Sequence, residues 1–68
     1  MIHEKERTYY FPNPITGKDW YTIGVSDVRE LIVSKSGGHR LTTKDGRMIY
    51  VRSGWICIEI KSDFGWEQ

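Results

Sequence analysis

Between Thr43 and Arg47 the chain reads Lys44-Asp45-Gly46, and this triplet constrains the fold more than any other part of the sequence. A three-residue hairpin loop built on a type I turn ends in a left-handed residue, which glycine occupies without the Cβ clash other residues meet. The loop sets a register in which Thr43 faces Arg47, Leu41 faces Ile49 and His39 faces Val51. Because side chains alternate across a strand, Leu41, Ile49 and Val51 share one face and belong to a core. Arg40, Thr42, Met48, Tyr50 and Arg52 share the other face, with Lys44 near the tip. A two-residue turn at Asp45-Gly46 would shift the pairing by one residue and mix these faces, so the three-residue form is preferred.

The rest of the chain reads in the same alphabet. Residues 1–7 are charged and are expected to fray, leaving residues 8–68 as one small domain. Thr8-Tyr9-Tyr10-Phe11 has the aromatic and β-branched content of a strand. Pro12 and Pro14 stop it because neither can donate to a ladder, and the turn chemistry continues to Asp19. Residues 20–25 resume as a strand, so Tyr9, Tyr10, Phe11, Trp20 and Tyr21 meet across the connection. Residues 26–36 read two ways. Asp27 with Glu30 resembles a helix capping box ahead of Val28, Leu31 and Ile32. Against a helix, Ile32 and Val33 are β-branched and Gly37-Gly38 suits a tight turn, which favours a strand over residues 28–34. Gly54 permits a bend, and residues 55–60 are apolar on both sides, as in a central strand or a self-association surface. The fold class is mainly β: a small antiparallel curled sheet or open barrel of about five strands, with a short helical turn near residues 27–36 as the open alternative.

A chain of 68 residues buries little more than half of its unfolded surface, which argues against a deep catalytic cavity. The lone Cys57 cannot form an intrachain disulfide, and the expected setting is reducing and cytoplasmic. No apolar run approaches the roughly 20 residues that cross a bilayer, so no membrane partner is expected. The formal net charge is +1, but it is unevenly spread. Residues 28–53 hold Arg29, Lys35, Arg40, Lys44, Arg47 and Arg52 against Glu30 and Asp45, six against two, and the ends are slightly acidic. A positive middle on a near-neutral chain attracts phosphates or an acidic protein surface, while the same charges also serve an ordinary solvated face.

Enzyme chemistry finds little support, and no cofactor or metal is expected. His3, His39 and Cys57 offer no zinc-ligand spacing. Cys57 lies in an apolar strand, where a buried thiol behaves as a small hydrophobe and not as a nucleophile for His39 to activate. Asp19 with Asp27, and Asp63 with Glu67, lie in polar or terminal segments that leave them ordinary anions.

Val25-Ser26-Asp27-Val28, His39-Arg40-Leu41, Lys44-Asp45-Gly46 and Tyr50-Val51-Arg52 together resemble the first half of a LytTR-type DNA-binding domain, a β-rich module of bacterial response regulators. The resemblance covers roughly residues 25–55 and implies that the loop leading into His39 enters a DNA groove, with Lys35, Ser36, His39 and Arg40 at the corresponding places. The family's second half, with its further base-reading residues, has no counterpart here. Gly54-Trp55 and Phe64-Gly65-Trp66 are also similar to the Gly-Trp signature of bacterial SH3-like barrels. Two functions follow. The first is a non-enzymatic nucleic-acid-binding module, most simply DNA-binding, that uses Lys35, His39, Arg40, Lys44, Tyr50 and Arg52. The alternative is a small phage- or mobile-element-type protein that binds and inhibits a host protein through Trp55, Phe64, Trp66 or an open strand edge. The apolar last strand adds a route to a homodimer.

Overall fold

A computed structural model of the protein describes residues 2–62. Five strands form one antiparallel sheet: β1 (Glu4–Pro12), β2 (Trp20–Val33), β3 (His39–Thr43), β4 (Met48–Val51) and β5 (Cys57–Ser62), in the order β4-β3-β2-β1-β5. The fold is therefore mainly β, as its residue types imply. Its edges β4 and β5 do not pair, so the sheet stays open and no barrel closes. Among the described residues there is no helix, and so none long and apolar enough to cross a membrane.

The hairpin at Lys44-Asp45-Gly46 has the expected register, with His39 opposite Val51, Arg40 opposite Tyr50, Leu41 opposite Ile49 and Thr42 opposite Met48. Thr43 N donates to Arg47 O at 2.9 Å and Gly46 adopts a φ of 89°, the left-handed conformation the loop demands. The segment that could have been a helical turn is the second half of β2, where Leu31, Ile32 and Val33 pair with Leu41, Arg40 and His39. Cross-strand pairing of β-branched residues there supplies what a two-turn helix could not.

β2 runs unbroken for 14 residues, but it is not straight. Its buried positions Val25 and Val28 are three apart, and so are Val28 and the half-buried Leu31. Each such step is one residue longer than the pleat allows, so the alternation breaks there. Asp27, at a φ of 55°, occupies the first, where the β1–β2 pairing keeps its register, and a bulge shifts the β2–β3 register at the second, between Val28 and Glu30. β1 pairs with β2 up to Val28, and β3 pairs only from Val28 onward. Tyr9 lies beside Ile23 and His39 beside Val33, positions that a straight strand at 3.3 Å per residue would hold about 33 Å apart. Yet the Tyr9 hydroxyl is 2.6 Å from His39 Nδ1. β2 therefore turns around Val28 and brings its two halves face to face around Tyr9, Phe11, Val25, Val28, Leu41 and Val51, the buried core.

Several expectations are corrected. The chain is ordered into strand from Glu4, not from Thr8, so residues 4–7 are not a frayed end. Glu4 and Arg7 are buried, and Arg7 Nε and Nη2 donate to the two Glu4 carboxylate oxygens at 2.7 Å each. Their charges look solvated in the sequence because pairing across a bulge is invisible to alternation. The aromatic cluster divides: Phe11 stacks on Tyr21 at 5.3 Å and Tyr9 enters the core, whereas Trp20 is exposed and the Tyr10 hydroxyl donates to Glu59 at 2.8 Å. β5 is an edge strand and not a central one, and Cys57, opposite Tyr10, is exposed on the outer face instead of buried.

Candidate binding groove on the outer face

The face of β2, β3 and β4 that turns away from the core carries one cross-strand row, Ile32–Arg40–Tyr50, with Met48 beside it across from Thr42. Alternation puts these side chains outside because Leu31, Leu41, Ile49 and Val51 are inside. Ile32, Met48 and Tyr50 are 58%, 73% and 52% exposed. The turn between β2 and β3 rises at one end of the row and contributes Lys35 and Ser36, making a shallow groove. Its floor is apolar and its rim holds two cations. Neither Lys35 nor Arg40 forms an ion pair among the described residues.

Tyr50 is held in place. Its hydroxyl lies 2.7 Å from Ser36 Oγ, which lies 2.9 Å from Ser34 Oγ, and Ser34 in turn donates to Gly38 O at 3.1 Å. The hydrogen bond with Ser36, then the nearby Ser34 hydroxyl, and the charge of Arg40 hold the Tyr50 phenol below its ordinary value. Gly38 makes room for this arrangement, since a Cβ there would fall on the end of the Tyr50 ring.

The six residues expected to meet nucleic acid do not share one surface. Lys35, Arg40 and Tyr50 line the groove. His39 faces the core side, where Nδ1 meets the Tyr9 hydroxyl and the imidazole tilts against Trp55 at 4.6 Å. Burial, then the charge of Arg7, pushes the His39 pKa down. Lys44 is at the far hairpin tip, its N–H donating to Asp27 O at 2.7 Å, beside a second small depression with Asp27, Asp45 and Arg47. Arg52 departs from the alternation because β4 ends at Val51. Its guanidinium lies 5.1 Å from the Phe11 ring centre and donates to the Tyr21 hydroxyl at 3.1 Å.

Of the alternative protein-binding residues, Trp55 is half-buried, edge-on to Tyr9 at 4.9 Å and Phe11 at 6.4 Å. It caps the core from the connection that carries the chain from β4 to β5. Phe64 and Trp66 lie outside the described residues. Sequence reasoning misses Ile32 as a surface residue, although its place opposite Arg40 follows once the turn before β3 is counted through. Among the described residues no group of three His, Cys, Asp or Glu side chains could hold a metal ion. Comparison of the chain with known families, curated proteins and solved structures finds no match.

Proposed function

We propose that the protein is a non-enzymatic binding module that docks a partner protein through the Ile32–Arg40–Tyr50 groove. The supporting observation is the composition of that row. A tyrosine and an arginine beside exposed isoleucine and methionine are the residue types that carry binding energy at the centres of protein interfaces. Exposed apolar side chains rimmed by polar groups are an arrangement that binding surfaces use. The two rim cations favour an acidic partner surface. Docking of this sort suits the inhibitor reading, in which occupancy of a host protein's surface is itself the activity.

Nucleic-acid binding, the first expectation from the sequence, has less support. With Lys44, His39 and Arg52 directed elsewhere, two cations remain beside Tyr50. Two phosphate contacts would lose only about tenfold in affinity between 50 and 200 mM salt, a weak electrostatic hold. A single exposed aromatic could still stack on a base, worth roughly 1–3 kcal/mol.

The test is affinity capture from lysate of the source cells with the native chain, with Ile32→Asp/Met48→Asp, and with nuclease added to each. A captured protein that survives nuclease and is lost with the groove variant supports docking. Capture abolished by nuclease returns the reading to nucleic acid, and a partner retained by the variant moves the site off the groove.

A further inference from the structure

The groove opens sideways onto the free edge of β4, and the main chain there is directed outward. In an antiparallel pair, residues alternate between those that exchange hydrogen bonds with the partner strand and those that turn both groups away. Thr43 and Arg47 form a bonded pair, Thr43 N donating to Arg47 O. Counting along the register, Ile49 and Val51 bond to β3 while Met48 and Tyr50 present N–H and C=O to the open side. Outside the strand pairing neither residue makes a main-chain hydrogen bond among the described residues. Their side chains are the ones that wall the groove.

Apart from its length of 4 residues, the edge lacks the usual defences. Edge strands are protected by charged side chains, proline or bulges. β4 reads Met48-Ile49-Tyr50-Val51 with none of these, while the opposite edge, β5, carries Glu59 and Lys61. We propose that an extended acidic segment of the partner adds to β4 as a sixth strand, bonding to Met48 and Tyr50. Alternate side chains of that segment would enter the groove toward Arg40 and Lys35. A second copy of this chain fits less well, because pairing two β4 edges would bring both sets of Arg40 and Lys35 to one groove. Glu30, in the neighbouring row with Thr42 and Met48, directs the acidic side chains to the Tyr50 end.

The proposal rests on the groove being a protein-docking site, and the experiment separates the two. The probe is a capped hexapeptide alternating glutamate and valine, at millimolar concentration, with its lysine counterpart and an oligothymidylate as comparisons. Amide hydrogen exchange is followed residue by residue. The acidic peptide is expected to slow exchange at Met48 and Tyr50 at least tenfold, with little change at Ile49 and Val51. Met48→Pro, which removes one outward N–H without touching the β3 ladder, should weaken binding at least tenfold more than Met48→Ala. Side-chain shifts at Ile32 and Tyr50 without amide protection would overturn strand addition and leave groove docking standing. Protection by oligothymidylate alone, or no response to any probe, would remove both. Protection that rises with protein concentration in the absence of peptide would assign the edge to a second copy.

Discussion

The Tyr9 hydroxyl lies 2.6 Å from Nδ1 of His39, within hydrogen-bonding distance, although the strands that carry them meet different halves of β2. This bond measures how far β2 has turned. Removing the hydroxyl leaves a half-buried ring nitrogen without its partner, so Tyr9→Phe should lower unfolding stability by about 1–2 kcal/mol in urea titration. If the loss is no greater than for Tyr10→Phe, whose hydroxyl bond to Glu59 is exposed, the bond does not hold the two halves together.

The same imidazole makes stability depend on pH with a definite sign. His39 in the folded chain has its pKa pushed below the ordinary value by burial and by Arg7, so the unfolded chain takes up a proton first. Its contribution is therefore fully present above about pH 6.5, and is lost as pH falls from there through the lowered folded value. Urea midpoints measured between pH 7 and 5 should fall for the native chain. They should fall less for His39→Asn, which keeps an acceptor near the Nδ1 position and cannot titrate.

Breaking the Glu4–Arg7 pair should be costly because both side chains are almost fully covered, at 11% and 9% exposure. Glu4→Gln leaves the guanidinium in a buried setting without its counter-charge, a loss of about 3 kcal/mol. Glu4→Leu with Arg7→Met, which removes both charges, should recover most of it. A double variant as unstable as the single one would mean that the pair positions the start of β1 beyond its charge.

Asp27 has the geometry of a residue that glycine would tolerate. At a φ of 55° a β-branched side chain is strained, so Asp27→Val should destabilise by about 1–2 kcal/mol, while Asp27→Gly should be close to neutral. Tyr9 and His39 cross-peaks in a nuclear Overhauser spectrum would weaken in the valine variant as the left-handed step at position 27 is resisted.

Tyrosine titration reports on the groove. Tyr50 should ionise below the ordinary phenol value, and Tyr9 and Tyr10 above it, Tyr9 because of burial and Tyr10 because of Glu59. Ser36→Ala should move the earliest phenolate transition upward in ultraviolet absorbance. Gly38→Ala should displace the Tyr50 ring and reduce partner capture while every groove side chain remains. Unchanged capture would show that Tyr50's position is not needed.

Much of the groove is legible in the amino-acid sequence. The glycine at the end of Lys44-Asp45-Gly46 implies one register for β3 and β4, and with it the outward set Arg40, Met48 and Tyr50. What escapes a sequence reading lies where alternation breaks. Arg52 stands one step past the end of β4, after the chain has turned toward β5. The same register puts His39 on the inner side, but nothing local says that Tyr9 waits there. Glu4 and Arg7 read as a solvated end because charge types say nothing about pairing across a bulge. Cys57 reads as buried because the neighbour of its strand cannot be known from its own residues.

Hairpins and their two faces follow from the chain's local order, since turn geometry and the two-residue pleat act over a few neighbours and need no distant contact. Which inner face meets which, and which outer surface is left open beside a free edge, depends on packing between remote segments. The left-handed Asp27 and the bulge after Val28 turn β2 back, and the energy of that turn depends on Tyr9, His39 and Trp55 packing together from segments far apart in the chain.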